Sequence, residues 1–227
     1  MRFSVATSVL QPSIVSGPDW DGQEQKALVE ALVARDEGAF QWLVRKHWPG
    51  MMRVATGLLG NKSLAAEVVQ ETWETVIREI AKFRQEASLS TWIYRILVNR
   101  ARRIGKKEAR SIPMSSFRSR DDEQGPVRDA DEFAANGRWK SPVHGWRMID
   151  PQNEAINREG VALLAKGLEQ LPERQKIVVT LRDVEGLGSK EVCEMLHITE
   201  ANQRLLLHRG RTRLRRMLED EENRGRV

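Results

Sequence analysis

The sequence contains one cysteine, Cys193, among its 227 residues. A single thiol excludes an intramolecular disulfide, and this composition fits a protein of the reducing cytoplasm. Cys193 lies beside Val192 on an apolar stripe, so we interpret it as a small core residue rather than as a redox sensor. The expected location is therefore cytoplasmic.

Long apolar runs are also missing. No stretch approaches the roughly 18 residues that a membrane-spanning helix needs, so we expect no membrane insertion. The first 17 residues contain a single basic residue, Arg2, and a broken apolar pattern. They lack the continuous hydrophobic segment of a secretion signal. We expect residues 1–24 to be a disordered extension or the product of a misassigned start site.

Residue groupings that carry catalysis or bind metals are absent from the pattern as well. The four histidines share no metal-ligand spacing with Cys193, and no nucleophile–base arrangement or catalytic carboxylate pair is readable. The segment Gly57-Leu-Leu-Gly-Asn-Lys-Ser63 has the wrong spacing for a phosphate-binding loop and lies between helical patterns rather than after a strand. We expect no enzymatic activity, no metal and no cofactor.

Positive charge is present in moderate excess and is concentrated in two places. The formal net charge is +5. The segment from Arg95 to Arg110 holds seven basic residues against one acid, and the segment from Arg204 to Arg216 holds six against none. Acidic residues gather elsewhere, at 121–123 and 219–222. Localised charge of this kind indicates two surfaces that bind a polyanion.

Apolar residues recur with helical spacing in two blocks. Val69, Trp73, Val76 and Ile80 form one such stripe, and no alternating pattern of useful length indicates strands. Between the blocks, prolines that include Pro113, Pro126 and Pro142 and many polar residues are typical of a linker. We therefore predict an all-α protein with two small helical domains joined by a flexible linker. The predicted boundaries are an extension at 1–24, a helical domain at 25–110, a linker at 111–152, a helix-turn-helix domain at 153–222 and a tail at 223–227.

The segment 171–216 has the pattern of a helix-turn-helix. Pro172 is well placed in the first turn of one helix, Ser189 is expected to cap a short second helix, and Thr199 is a candidate N-cap for the last. The last helix has several arginines on the faces left by its Leu207–Leu214 stripe. Arginine can pair with guanine or hold phosphate, so this helix is expected to bind duplex DNA. The alternative is a plain helical hairpin with a basic surface.

The other basic segment carries aromatic residues. Phe83, Trp92 and Tyr94 are interleaved with the basic residues that lie between Arg84 and Arg103. Aromatic faces beside a cationic track suit unpaired bases, which stack on rings while the backbone lies on arginines. Trp92 fits equally well as a core residue, and the sequence leaves both interpretations open.

Both halves resemble one family, the extracytoplasmic-function (group IV) sigma factors of bacterial RNA polymerase. The N-terminal similarity lies in Asp36-Glu-Gly-Ala-Phe40, Leu58-Leu-Gly-Asn61, Val69-Gln-Glu-Thr-Trp73, Phe83-Arg84 and Ser90-Thr-Trp-Ile-Tyr-Arg-Ile96 to Asn99. The C-terminal similarity lies in Leu171-Pro-Glu-Arg-Gln175, Leu181-Arg-Asp-Val-Glu-Gly-Leu187, Glu191-Val192 and Leu207-His-Arg-Gly-Arg211.

The resemblance implies a promoter-specificity factor that binds core polymerase, recognises the −35 duplex and melts the −10 element. The residues implied at the −35 element are Arg182, Ser189, Lys190, Arg204, His208, Arg209 and Arg211. Those implied at the −10 element are Phe83, Arg84, Trp92, Tyr94, Arg95, Asn99, Arg100 and Arg103. Those implied to bind the β′ clamp helices are Glu67, Gln70, Glu71 and Glu74. The implied partners are core RNA polymerase, through the β′ clamp helices and the β flap, promoter DNA and an anti-sigma factor.

Five positions depart from the family pattern. Only Glu67 remains of two acids that are usual there, and His197 stands at a turn position often taken by glycine. Gln203 replaces a buried aliphatic residue, and Leu205 and Leu206 stand where polar residues are common. The changes near the last helix predict an altered promoter sequence or a slightly rotated recognition helix.

Two further hypotheses are compatible with parts of the pattern. A stand-alone helix-turn-helix regulator would bind its DNA site tightly without polymerase and would have no use for an aromatic single-strand surface. A protein whose main partner is an anti-sigma factor is compatible with the sigma role. Trp139 and Trp146, in the predicted linker, are a speculative docking site for that partner.

Overall fold

The computed structural model describes Trp20 and residues 25–108 and 154–224, with side chains at Trp20, 25–105 and 160–221. The described ranges contain helices and turns and no strand, which confirms the all-α prediction. The linker tryptophans, Trp139 and Trp146, and nearly all of the predicted N-terminal extension lie outside these ranges.

The described part of the N-terminal domain consists of four helices. They are α1 (Gln25–Val33), α2 (Glu37–Leu59), α3 (Lys62–Glu79) and α4 (Leu89–Glu108), with a 3₁₀ turn at Ile80–Lys82 after α3. Asp36 caps α2, because its carboxylate accepts the backbone N–H of Ala39 at 2.6 Å. Gly60 ends α2 with a left-handed φ of 65°, and the Asn61 side chain caps α3 at once. So short a connection places α2 and α3 side by side.

The predicted stripe of α3 faces the core. Val69, Trp73, Val76 and Ile80 are each at most 6% exposed, which confirms the helical spacing as a packing pattern. Ile93 and Leu97 of α4 are fully buried against the same core. Burial of an aliphatic side chain of this size contributes about 1.5–3 kcal/mol, so these apolar faces stabilise the mutual packing of α2, α3 and α4.

The C-terminal domain contains the predicted helix-turn-helix. Its elements are α5 (Glu154–Gln170), α6 (Glu173–Val179), a π turn (Thr180–Val184), α7 (Ser189–Leu196) and α8 (Glu200–Arg224). Thr199 caps α8 by accepting the backbone N–H of Asn202 at 3.2 Å, as predicted. The prediction that Ser189 caps α7 is wrong. Gly188 precedes that helix, and its N–H donates to the Glu191 carboxylate at 2.7 Å.

The two domains pack against each other. Helix α2 lies along α6 and the π turn, and α4 lies against α7. Gly57 permits the first contact, because a Cβ at this position would lie 2.9 Å from side-chain atoms of Glu173 and Ile177. This packing brings the two basic surfaces predicted from the sequence into one body.

Candidate nucleic-acid interfaces

The helix-turn-helix is held by apolar packing and by a hydrogen bond between the partly buried Ser189 and the buried Gln203. Leu196 and Leu206 are at most 1% exposed, and His197 makes the turn with a left-handed φ of 52°. Gln203 is 1% exposed, and its side-chain oxygen accepts from the Ser189 hydroxyl at 3.0 Å. An amide therefore occupies a core position, and Ser189, a predicted DNA contact, uses its hydroxyl inside the domain.

The basic residues of this domain differ in the exposure of their side chains and in the contacts that these side chains make within the protein. The Arg204 side chain is 71% exposed and pairs with Glu200 at 3.2 Å, and Lys190 is exposed. Arg211 makes a bidentate pair with Asp183, at 2.8 and 2.6 Å. Arg182 is partly buried and donates to the Leu187 carbonyl. Arg204 and Lys190 are thus the most accessible of the predicted −35 contacts.

Arg209 and His208 lie on α8 between the exposed and the buried faces. Both are partly buried. Two buried N–H groups of Arg209, on Nε and Nη1, have no hydrogen-bond partner in the part of the chain that the structure describes. A guanidinium donates hydrogen bonds to a phosphate oxygen or to the acceptors on a guanine edge, so Arg209 has the chemistry of a DNA contact.

The aromatic part of the N-terminal surface contains a ring pair. The Phe83 and Trp92 rings lie 5.1 Å apart between centroids with an interplanar angle of 37°, and both side chains are only partly buried. Three other residues predicted at the −10 element are exposed on this domain: Arg84, with 83% of its side chain exposed, Asn99 and Arg103. Arg95 is exposed as well, with 44% of its side chain accessible, although it pairs with Glu194. An aromatic pair with exposed cations nearby has the chemistry of a platform for unpaired bases.

Tyr94 requires a correction. Its side chain is fully buried, with its hydroxyl 3.5 Å from the His47 carbonyl of α2, so it does not belong to the aromatic surface. The physical reason is helical geometry, since residues two positions apart do not share a face. Trp92 and Tyr94 therefore point to different sides of α4. Burial, then the charge and hydrogen bond of Glu185, raise the pKa of Tyr94 well above its usual value.

A carboxylate-rich face runs along α3. Glu67, Gln70, Glu71 and Glu74 are all exposed, and Gln70 donates to Glu74 at 3.4 Å. Ile77 continues this face and is 50% exposed, a residue that the sequence analysis missed although it follows Gln70 and Glu74 at helical spacing. An acidic face with an exposed aliphatic residue suits a basic helical partner.

Arg100, which is predicted to contact the −10 element, pairs with a residue of the predicted polymerase-binding face. Its guanidinium pairs with Glu71 and donates to the Thr75 hydroxyl at 2.9 Å, so only 19% of its side chain is exposed. A residue predicted to hold the −10 strand is thus engaged with one predicted to bind polymerase. The pair ties α4 to α3 and orients the acidic face.

Contacts with α7 occupy another part of the basic face of α4. Arg95 donates to Glu194 at 3.1 Å, and Arg102 lies 2.8 Å from His197 Nε2. Burial lowers the pKa of Arg102 from its usual value. In this arrangement α7 contacts two arginines of the N-terminal surface.

No metal centre is formed by the described side chains, which contain no cluster of three or more histidines, cysteines or acids. Burial raises the pKa of the Cys193 thiol, which is consistent with an unreactive core-side cysteine. None of the described helices is both long and apolar enough to cross a membrane.

Two family models match the chain, one for each domain. "Sigma-70 region 2" matches residues 43–111, and "Sigma-70, region 4" matches residues 162–214. The chain therefore carries sigma-70 region 2 followed by region 4, the two-domain plan of an RNA polymerase sigma factor. The acidic α3 face and the aromatic pair lie in region 2, and the helix-turn-helix is region 4.

Curated relatives cover most of the chain at low identity. The ECF RNA polymerase sigma-E factor of Haemophilus influenzae is 28% identical over 190 residues, which are 82% of this chain and 90% of that protein. The RNA polymerase sigma-H factor of Pseudomonas aeruginosa is 24% identical over 198 residues, 87% of this chain and 95% of the relative. Among solved structures, the sigma factor RpoE in complex with the anti-sigma factor NepR from Bartonella quintana overlaps with a TM-score of 0.41 at 16% identity, covering 87% of this chain and 95% of that one.

Proposed function

We propose that this protein is an ECF-type (group IV) sigma factor that directs promoter-specific initiation by core RNA polymerase. One observation carries the proposal. Within two domains, the chain combines a duplex-reading helix-turn-helix with a separate aromatic and cationic surface suited to unpaired bases. A regulator that binds only duplex DNA has no need of the second surface. Catalysis belongs to the polymerase, and the proposed role places the chain in the cytoplasm.

The α3 face is the proposed contact with the clamp helices of β′. Glu67, Glu71 and Glu74 supply negative charge, and Ile77 supplies an apolar contact that polymerase would desolvate. Charge complementarity governs encounter, while a buried apolar anchor slows dissociation. Region 4 is proposed to contact the β flap while α8 lies on the −35 duplex.

The −35 contact is proposed to rest on Arg204 and Lys190, with Arg209 beside them. The −10 contact is proposed to rest on Phe83 and Trp92. Other residues predicted at these two promoter elements are exposed or partly exposed. They are Arg84, Asn99, Arg103, His208 and Arg211. Arg95, Arg100 and Arg182 are proposed contacts that first have to leave internal partners.

The test is transcription from a randomised promoter library by purified bacterial core polymerase, with and without the protein. We expect protein-dependent transcripts whose templates share sequence near −35 and −10. Specific duplex binding by the protein alone, with neither transcripts nor binding to core polymerase, would overturn the sigma role in favour of a stand-alone regulator.

A charge-reversal pair assigns the polymerase contact. Glu74→Lys should weaken core binding and reduce transcription from every promoter equally, because it acts before DNA is read. Glu30→Lys is the matched control, since Glu30 is 68% exposed and lies on a different helix, α1. Equal core affinity of the two variants would remove α3 from the proposal.

Control by an anti-sigma factor is also part of the proposal, as the resemblance implies. A cognate partner that co-purifies with the chain should abolish run-off transcription when it is added before core polymerase. A co-purified partner that leaves transcription unchanged would argue against this part.

A further inference from the structure

An exposed leucine lies on the helix that is proposed to bind the −35 duplex. Leu205 stands in the second turn of α8 and is 38% exposed, and among the α8 side chains that the structure describes it is the only large apolar one that is exposed. Single exposed apolar residues are common on protein surfaces, so exposure by itself assigns no role. The position of Leu205 on the helix is what distinguishes it.

Leu205 lies on the side of α8 that faces away from the core. Gln203, two positions before it, is 1% exposed, and Leu207, two positions after it, is 7% exposed. At about 3.6 residues per turn, two positions correspond to about 200° around a helix, so both of these side chains point away from Leu205. Packing within the domain therefore accounts for Gln203 and Leu207 but not for a leucine at position 205.

The two leucines that depart from the family pattern have different environments. Leu206 is 1% exposed and belongs to the core, whereas Leu205 is open to solvent. Gln203, another departure, is buried as the aliphatic residue of the family would be, so the core face of α8 still includes position 203. Of the two consequences expected from these departures, the packing favours an altered promoter sequence over a rotated helix.

Basic side chains on α8 supply a general attraction to DNA beside Leu205. Arg204 is 71% exposed, and Arg209, one turn further on, has two buried N–H groups without a partner in the described part of the chain. The first turns of a recognition helix are the part that contacts base edges in the major groove. Leu205 therefore occupies a base-contacting position, although it can neither bind phosphate nor form a hydrogen bond.

A leucine side chain can recognise one feature of the major groove. Thymine presents a methyl group there, at C5, whereas the other bases present only hydrogen-bond donors and acceptors. Contact between leucine and this methyl group removes apolar surface from water on both sides. Against another base, the leucine would cover a donor or an acceptor and leave it without a partner, which costs free energy.

We propose that Leu205 determines specificity in the −35 contact by packing on the C5-methyl group of a thymine, on either strand, in the major groove. The inference rests on the proposed function and adds the class of base that one position of α8 selects. The exposed cations Arg204 and Lys190 supply affinity, and Leu205 supplies the preference at one base pair.

The direct test removes the methyl group from the DNA. Holoenzyme, formed from purified core polymerase and the full chain, first selects a −35 duplex from a randomised library. Each thymine of that duplex is then replaced in turn by deoxyuridine, which keeps the base pairing and lacks the methyl group. We expect one replacement to weaken binding by about three- to fivefold, the size expected for one buried methyl group. A selected element without thymine, or one in which no replacement changes affinity, would overturn the proposal.

Leu205→Ala assigns the lost affinity to this side chain. Val161→Ala is the matched control, because Val161 is an aliphatic residue of the same domain that is 61% exposed and lies on a different helix, α5. We expect Leu205→Ala to bind the thymine and deoxyuridine duplexes equally, and the control to keep the wild-type difference. Equal sensitivity to deoxyuridine in the wild type and in Leu205→Ala would place the methyl contact on another residue and contradict the proposal.

Leu205→Gln tests whether the position selects the base. Glutamine can both donate to and accept from adenine in the major groove, so this variant should prefer adenine to thymine at the sensitive position. A loss that is equal for all sequences in both Leu205 variants would indicate a contact with the DNA backbone and refute base recognition. Failure of the wild-type holoenzyme to select any −35 sequence would instead count against the proposed function. The deoxyuridine measurement on the wild type needs no variant, so its result does not depend on how the variants fold.

Discussion

Trp92 and Tyr94 provide the sharpest test of the single-strand surface. Both are aromatic residues of α4 and stand two positions apart, yet Trp92 is partly exposed beside Phe83 and Tyr94 is fully buried toward α2. If bases stack on the accessible pair, Trp92→Ala should weaken the holoenzyme's affinity for a single-stranded −10 oligonucleotide. Tyr94→Phe should leave that affinity unchanged.

The magnitude follows from the contact that is lost. Stacking of one base on an aromatic ring contributes about 1–3 kcal/mol, which corresponds to roughly 5- to 150-fold in affinity. Trp92→Ala also removes the ring contact with Phe83, worth about 0.5–1.5 kcal/mol of domain stability beyond burial of area. Trp92→Phe keeps a stacking face and should retain most of the oligonucleotide affinity.

Fluorescence anisotropy with a labelled −10 oligonucleotide and preformed holoenzyme measures the loss. Binding of a −35 duplex is the control and should not change. Thermal unfolding of the free chain separately reports the domain stability that is lost with the Phe83 ring contact. Equal losses of oligonucleotide affinity in Trp92→Ala and Tyr94→Phe would refute the assignment. An unfolded region 2 in Trp92→Ala would show instead that Trp92 acts as a core residue.

Three further predictions concern region 4. Arg204→Ala should weaken −35 duplex binding by about 1–3 kcal/mol if the side chain reads a base, measured by competition with point-mutated sites; an equal loss on all sequences would indicate a phosphate contact. Thr199→Ala should lower the free energy of unfolding by about 1 kcal/mol in denaturant titration, because α8 loses its cap; an unchanged midpoint would contradict the capping role. Gly210→Ala should destabilise region 4 by about 1–3 kcal/mol, since the new methyl would lie 2.6 Å from Val179 Cγ2. Gly160→Ala is its control, because its Cβ meets nothing within 4 Å, and equal unfolding midpoints would show that α6 and α8 can separate at no cost.

Local patterns in the sequence were sufficient for the elements and their class. The stripe from Val69 to Ile80 and the cap at Thr199 are confirmed, because helix periodicity and capping depend on residues within one or two turns. Ser189 shows the limit of such patterns. Gly188 and Glu191 satisfy the start of α7 between them, and the serine hydroxyl turns to Gln203.

For several predicted site residues, the packing between helices determines whether the side chain is accessible to a partner. Tyr94 was grouped with Trp92 by composition, but the packing of α4 on α2 buries one ring and leaves the other partly exposed. Arg100 and Glu71 were assigned to different partners and are paired with each other. Which side of a helix meets a neighbour depends on the neighbour's surface, and that information is absent from spacing along one helix.

The sequence by itself determined an all-α chain with two basic, nucleic-acid-type surfaces and a helix-turn-helix, since these follow from periodicity, capping and local charge. The tertiary structure decided which arginines are accessible and placed Glu185 beside His47. Residues 138 positions apart leave no local signal of their contact, because it forms only after two separately folded faces meet. Glu185 lies within the segment Leu181–Leu187, which resembles the family. Its burial against region 2 depends instead on Gly50 of α2, because a Cβ at that position would collide with the Glu185 carboxylate.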